Sequence, residues 1–136
     1  MSVFLDTNIL IYSISDAPTE IDKRSRAVEL LRRWDVVLSV QVLQEFYVQA
    51  TRPARISPLS HEDAVDLIQV WLRFDIRTVD IEMLSRALTI KSRLGFSYWD
   101  SAIVAAAQIA SCTELYTEDL STGQVIDDLT IVNPFH

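Results

Sequence analysis

Short apolar runs separated by long amphipathic stretches constrain this chain more than any other feature. Residues 3–6, 36–39, 75–79, 114–117 and 130–132 each have the length and apolar content of a strand, and helical periodicity fills most of the sequence between them. Strands that alternate with helices pair in parallel, because a chain returning through a helix re-enters the sheet in the same direction, and such crossovers are right-handed. The expected fold is therefore α/β, a parallel five-stranded sheet between helices in three layers, with helix well in excess of strand.

The helical stretches carry their own punctuation. A short helix over 8–15 closes before Pro18; one over 21–34 repeats Ala27, Val28, Leu30, Leu31 and Trp34 at three- and four-residue spacings; one over 40–51 aligns Leu43, Phe46, Tyr47 and Ala50. Pro53 and Pro58 then mark a loop. Ser60 with Asp63 reads as the start of a helix to 73, and Asp80 caps one over 81–94 that Gly95 can end in a left-handed conformation. Ser97 opens "SYWDSAIVAAAQIAS", apolar nearly all the way round and so expected inside the protein.

At 136 residues, 49% of them apolar and only two glycine, the chain suits a single domain over 1–136 with a sizeable core. The lone Cys112 excludes an internal disulfide, and no secretory leader precedes Val3, so a cytoplasmic protein is expected. No apolar run approaches the roughly 20 residues that span a bilayer. The net charge of −7 means that the overall field repels a nucleic acid. Residues 23–55 depart from this: Lys23, Arg24, Arg26, Arg32, Arg33, Arg52 and Arg55 face only Glu29, Asp35 and Glu45, a local balance of +4. The segment is either a track for phosphates or a solvated helix face.

In an open parallel sheet, ligands bind beyond the carboxyl ends of the strands. Four acids fall there: Asp6 ends the first strand, Glu45 lies in the helix after the second, Asp100 is in the first turn of the apolar helix, and Asp119 follows the fourth strand. Each has a plainer account. Asp6 could begin a turn assisted by Asn8; Glu45 lies opposite its helix's apolar stripe, where a surface acid belongs; Asp119 competes with Glu118 for the inward position. Asp100 is the exception, because it heads the stripe of Ile103, Val104 and Ala107, and a helix-capping acid has no need to.

Carboxylates gathered together repel one another and resist desolvation unless a proton or a cation neutralises them. Oxygen-only ligands suit Mg²⁺ or Mn²⁺, whereas zinc would call for a histidine or cysteine cluster; His61 and His136 offer none. A hard cation among acids can activate water and stabilise charge on a phosphate.

Four segments then bear a family likeness. "FLDTNILIY", "SVQVLQEFYV", "YWDSAIVAAA" and "LYTEDLSTGQVIDDLTIVNPF" occur in the order and spacing of the PIN-domain motifs, and the chain closely resembles that family along its whole length, in particular the VapC-like toxins of prokaryotic type II toxin–antitoxin systems. The resemblance implies a three-layer α/β/α PIN-like domain. It implies that Asp6, Glu45, Asp100 and Asp119 form a catalytic, metal-binding acidic site, supported by Thr7, Asn8 and Ser39, and it favours Asp119 over Glu118. It also implies a Mg²⁺- or Mn²⁺-dependent endoribonuclease that cleaves RNA, is blocked by a small antitoxin protein, and assembles as a homodimer. Arg24, Arg26, Arg32, Arg33, Arg52 and Arg55 then become candidate RNA or antitoxin contacts.

Two other readings compete. A phosphatase of the haloacid dehalogenase type also ends its first strand on an aspartate, but its pattern resembles Asp-x-Asp-x-Thr, and Asn8 stands at the third place here. A catalytically inert module that binds a metal or a partner would lack the need for all four acids.

Overall fold

The computed structural model describes residues 1–135; His136, assigned no role above, lies outside them. The chain runs β1 (Val3–Leu5), α1 (Thr7–Ser13), a 3-10 turn at Pro18–Glu20, α2 (Ile21–Leu30), β2 (Val36–Ser39), α3 (Val40–Ala50), α4 (His61–Trp71), β3 (Asp75–Arg77), α5 (Ile81–Leu94), α6 (Tyr98–Ile109), β4 (Glu114–Tyr116), β5 (Val125–Ile126) and β6 (Leu129–Val132). The strand order is β3-β2-β1-β4-β6-β5. All neighbours pair in parallel except β5 and β6.

From β1 the chain works outward through β2 to β3, then α5 and α6 carry it back across to β4 on the other side of β1. Right-handed crossovers taken in opposite directions put α1 to α4 on one face and α5 and α6 on the other. The reversal falls between β1 and β4, and the carboxyl ends of the strands beside such a reversal are where open parallel sheets bind ligands.

Five of the six strands lie where the apolar runs place them. The sixth, β5, is a correction to the five-stranded expectation: Ile126 pairs with Leu129, so Asp127 and Asp128 alone make the turn, with Asp127 at φ 54°. A short polar side chain tolerates that left-handed geometry. Two other element ends also move. α2 stops at Leu30 because the amides of Arg32 and Arg33 bond three residues back, to Glu29 and Leu30, and Trp34 is left 88% exposed. β3 stops at Arg77, two residues short of the expected end.

The core fills the space between sheet and helices. Phe4, Leu5, Leu38, Leu115 and Ile131 are fully buried on the strands, and Phe46 of α3 meets Trp71 of α4 edge to face at 4.7 Å. Residues Ser101 to Ala107 of α6 are all buried, as an apolar circumference requires. Ser39, Ser60, Asp80 and Ser97 each accept the backbone N–H that starts their helix, and Gly95 ends α5 at φ 75°. Among the described residues no helix is long and apolar enough to cross a membrane.

Candidate active site

Asp6 stands at the carboxyl end of β1, beside β4. Its N–H continues the ladder by donating to the Tyr116 carbonyl at 3.0 Å, while its side chain caps α1, Oδ1 accepting from the Thr7 N–H at 2.7 Å. Oδ2 accepts from the Thr117 hydroxyl at 2.8 Å. The residue is only 6% exposed. Burial pushes its carboxyl up from 3.8 to about 7; the Thr117 and Thr7 donors oppose this, and the charges of Asp119 and Glu45 add to it. A strand end thus holds an acid that desolvation and its neighbours press toward the neutral form.

The other three acids approach from separate elements. Ser39, itself fully buried, caps α3 by accepting from the Val42 N–H at 3.3 Å, which fixes the helix that carries Glu45. Glu45 is half-buried, and its Oε1 accepts from the Thr7 hydroxyl at 3.0 Å and from Gln41 Nε2 at 3.4 Å. The surface position that its helical wheel suggests is therefore wrong, since the wheel takes no account of α1 lying alongside. Asp100 donates its N–H to Ser97 Oγ at 3.1 Å in the first turn of α6. Its carboxyl is raised, chiefly by burial; the Ser97 hydrogen bond opposes this, and the Asp119 charge reinforces it.

Asp119 is exposed on the loop after β4 and accepts from Asn8 Nδ2 at 3.1 Å. Asn8 Nδ2 also reaches Thr117 Oγ1 at 3.2 Å, and that hydroxyl accepts the Asp119 N–H at 3.0 Å. Glu118 points elsewhere. Its carboxylate accepts a hydrogen bond from the Tyr12 hydroxyl and forms an ion pair with Lys23 at 3.2 Å. The structure thus separates the adjacent pair, with Asp119 tied to Asn8 and Glu118 neutralised at the side.

The arrangement is a set of acids that feel one another without converging: Asp119 acts on both Asp6 and Asp100, and Glu45 acts on Asp6. Among the described residues, no three His, Cys, Asp or Glu side chains are grouped closely enough to hold a metal ion as they stand. The chemistry of the donor set nevertheless fits a hard divalent cation, being oxygen throughout. A further oxygen, Asn8 Oδ1, is buried with no hydrogen-bond partner.

Thr117 and Gln41 are absent from the sequence-based assignment. Thr117 is fully buried and makes three of the hydrogen bonds that organise the edge. Its only signal is its place between a strand and an acid in "LYTED". The basic segment does not form one surface. Arg33 is locked to Asp35 at 2.8 Å at the amino end of β2, the opposite edge of the sheet from Asp6, and Arg26 pairs with Glu29. Arg24 donates to the Ser15 carbonyl, whereas Arg55 lines a cleft shared with Asn8, Tyr12 and Glu118. Arg32 and Arg52 are exposed.

A profile of the PIN domain matches residues 3–125. The chain belongs to the PIN-domain family. No curated protein matches this PIN domain by sequence. Among solved structures it is similar to a toxin–antitoxin complex from Klebsiella pneumoniae, with a TM-score of 0.73 at 21% identity over 98% of both chains. It is also similar to VapC20, a sarcin–ricin loop cleaving toxin of Mycobacterium tuberculosis, with a TM-score of 0.68 at 18% identity over 87% of this chain and 92% of that one. VapBC2 from Rickettsia felis, bound to a DNA fragment from its promoter, gives 0.67 at 18% identity over 96% and 97%. At these identities the likeness is one of fold.

Proposed function

We propose that this PIN-domain protein is an endoribonuclease that depends on Mg²⁺ or Mn²⁺, and that it serves as the toxin of a toxin–antitoxin module in the prokaryotic cytoplasm. The observation that carries the reading is Asp6: a buried carboxyl at the carboxyl end of the central strand, raised to about 7, within the fields of Glu45 and Asp119. A cation is the natural neutraliser of such a group. Asp6, Glu45, Asp100 and Asp119 would hold it, and once bound it would supply Lewis-acid stabilisation of phosphate charge and a more acidic water.

The protein's own residues prepare that edge. Thr7 and Thr117 orient Glu45 and Asp6 by hydrogen bonds, Ser39 anchors the helix bearing Glu45, and Asn8 restrains Asp119. Asp119, exposed and on a loop, is the acid best able to move toward the others. The similar solved toxins, one of them described as sarcin–ricin loop cleaving and others complexed with antitoxins, support an RNA substrate and a small protein inhibitor here; the homodimer is what the family resemblance alone implies.

The test is cleavage of single-stranded or looped RNA by purified protein free of antitoxin. Cleavage should stop in chelator, return with Mg²⁺ or Mn²⁺, and fall by orders of magnitude in folded Asp6→Asn and Asp100→Asn proteins. Full activity in the folded double mutant would show that the acids are not the catalytic site.

A further inference from the structure

The acidic edge poses a problem for any RNA that reaches it, because phosphates are repelled where cleavage is proposed to occur. The cation proposed above would offset part of that repulsion, and a contact that does not rely on charge would add to it in holding the strand. Beside Asp100 lies a cleft that carries no charge: it is lined by Gln41, Gln44, Val79, Met83, Tyr98 and Trp99, among others, and no ionisable acid or base is on its walls except the phenol of Tyr98. Trp99 precedes Asp100 directly and is 63% exposed. A large flat side chain left in water at the mouth of a site is an unusual use of a residue that normally buries most of its area.

One contact bears on the indole and another on its backbone. Tyr98 meets it edge to face, with centroids 5.0 Å apart and planes at 78°. Gln41 Nε2 donates to the Trp99 backbone carbonyl at 3.4 Å and to Glu45 Oε1 at 3.4 Å, so a single buried amide joins the cleft wall to one of the acids. Gln41 Oε1 accepts no hydrogen bond among the described residues, and Gln44 is exposed on the next turn of the same helix. A flat apolar face with amide donors and acceptors around it is complementary to a nucleobase, which offers a π-face for stacking and a polar edge for hydrogen bonds.

We propose that Trp99, with Gln41 and Gln44, forms a subsite in which one unpaired base of the RNA stacks on the indole and so places the adjoining phosphodiester at the acids. This rests on the nuclease reading above, but it concerns how the substrate is held. Stacking is tolerant of sequence, so the amides would supply whatever base preference the subsite has.

The experiment measures binding of a short single-stranded RNA to the wild-type protein and to Trp99→Ala and Trp99→Phe in chelator, where cleavage is suppressed, with the same RNA carrying one abasic nucleotide as the second variable. Base stacking is worth about 1–3 kcal/mol, so Trp99→Ala should weaken binding roughly 5- to 150-fold, while Trp99→Phe should retain most of the affinity. Moving the abasic nucleotide along the strand should find a position that weakens wild-type binding by a similar factor and leaves Trp99→Ala unaffected, and the slope of affinity against salt should be the same in all three proteins.

Equal affinity of wild type and Trp99→Ala overturns the subsite, even if the nuclease activity stands. So does a result in which Trp99→Ala lowers the mass in sedimentation yet leaves RNA affinity per chain unchanged, since the indole then serves contact between copies. Conversely, the predicted abasic coupling in a protein that cleaves nothing would support the subsite and refute the nuclease reading.

Discussion

In chelator, the stability of this protein should fall as pH rises through neutrality, and Asp6→Asn should reverse the ranking of mutant and wild type. The folded Asp6 carboxyl titrates at about 7 against an ordinary 3.8. A raised folded value means that the folded state binds the proton more tightly than the unfolded chain, so the contribution of this group is most favourable at low pH and is lost as pH climbs from 3.8 toward 7. The full span corresponds to about 4 kcal/mol, and the part lying between about pH 5 and pH 8 to roughly 2–3 kcal/mol. Asparagine has no such titration. It does lose a hydrogen bond, because Thr117 Oγ1 already accepts from Asn8 Nδ2 and the Asp119 N–H and cannot also accept from a new amide. That loss is about 1 kcal/mol and does not vary with pH. Urea melts in chelator should therefore show Asp6→Asn equal to or below wild type at about pH 5 and above it at about pH 8, a relative change of roughly 2–3 kcal/mol. Excess Mg²⁺ or Mn²⁺ at the higher pH should restore the wild type and leave the mutant where it was. A difference between the two proteins that is constant across this range would refute the claim that burial of Asp6 governs the edge.

Thr117→Val keeps the shape but removes the donor to Asp6 and the acceptor for Asn8 and Asp119, so melts should show a cost of about 1–3 kcal/mol that grows with pH, since the charged form of Asp6 loses the partner that lowers its titration. In the RNA cleavage assay, Asp119→Asn should reduce activity far more than Glu118→Gln, whose carboxylate is already engaged by Tyr12 and Lys23; comparable losses from the two would invert their assignment.

Much of the fold was legible because each element carries its own signal. Asp80 and Gly95 bracket α5, Ser97 opens α6, and the alanine-rich circumference of α6 announces its burial. The sixth strand was not legible: a two-residue strand with a turn of two aspartates lacks both the length and the glycine that mark a hairpin, and it exists only because β6 is there to pair with. Within the site, Asp6 and Asp100 conflict with their own surroundings in the sequence, an acid ending an apolar run and another heading an apolar stripe. Glu45 and Thr117 conflict with nothing locally. Thr7 reaches Glu45 across 38 residues, and Thr117 reaches Asp6 across 111, so their roles arise from tertiary packing that no helical wheel or strand pattern contains.

The position of β1 at the interior of the sheet, flanked on both sides by parallel partners, bears on how such an edge can be switched off. Strands with neighbours on each side are the last parts of a protein to open, and their amides exchange with solvent only in the rare events that unfold the whole molecule. Asp6 shares that protection, since its own N–H is bonded to Tyr116. Local melting, the usual cheap way to disarm a site, is therefore closed off on this side. For Asp6, then, an occupant seated on the edge is the route to silencing that this strand leaves open, and control of that carboxylate passes from the stability of the protein to the residence time of the occupant.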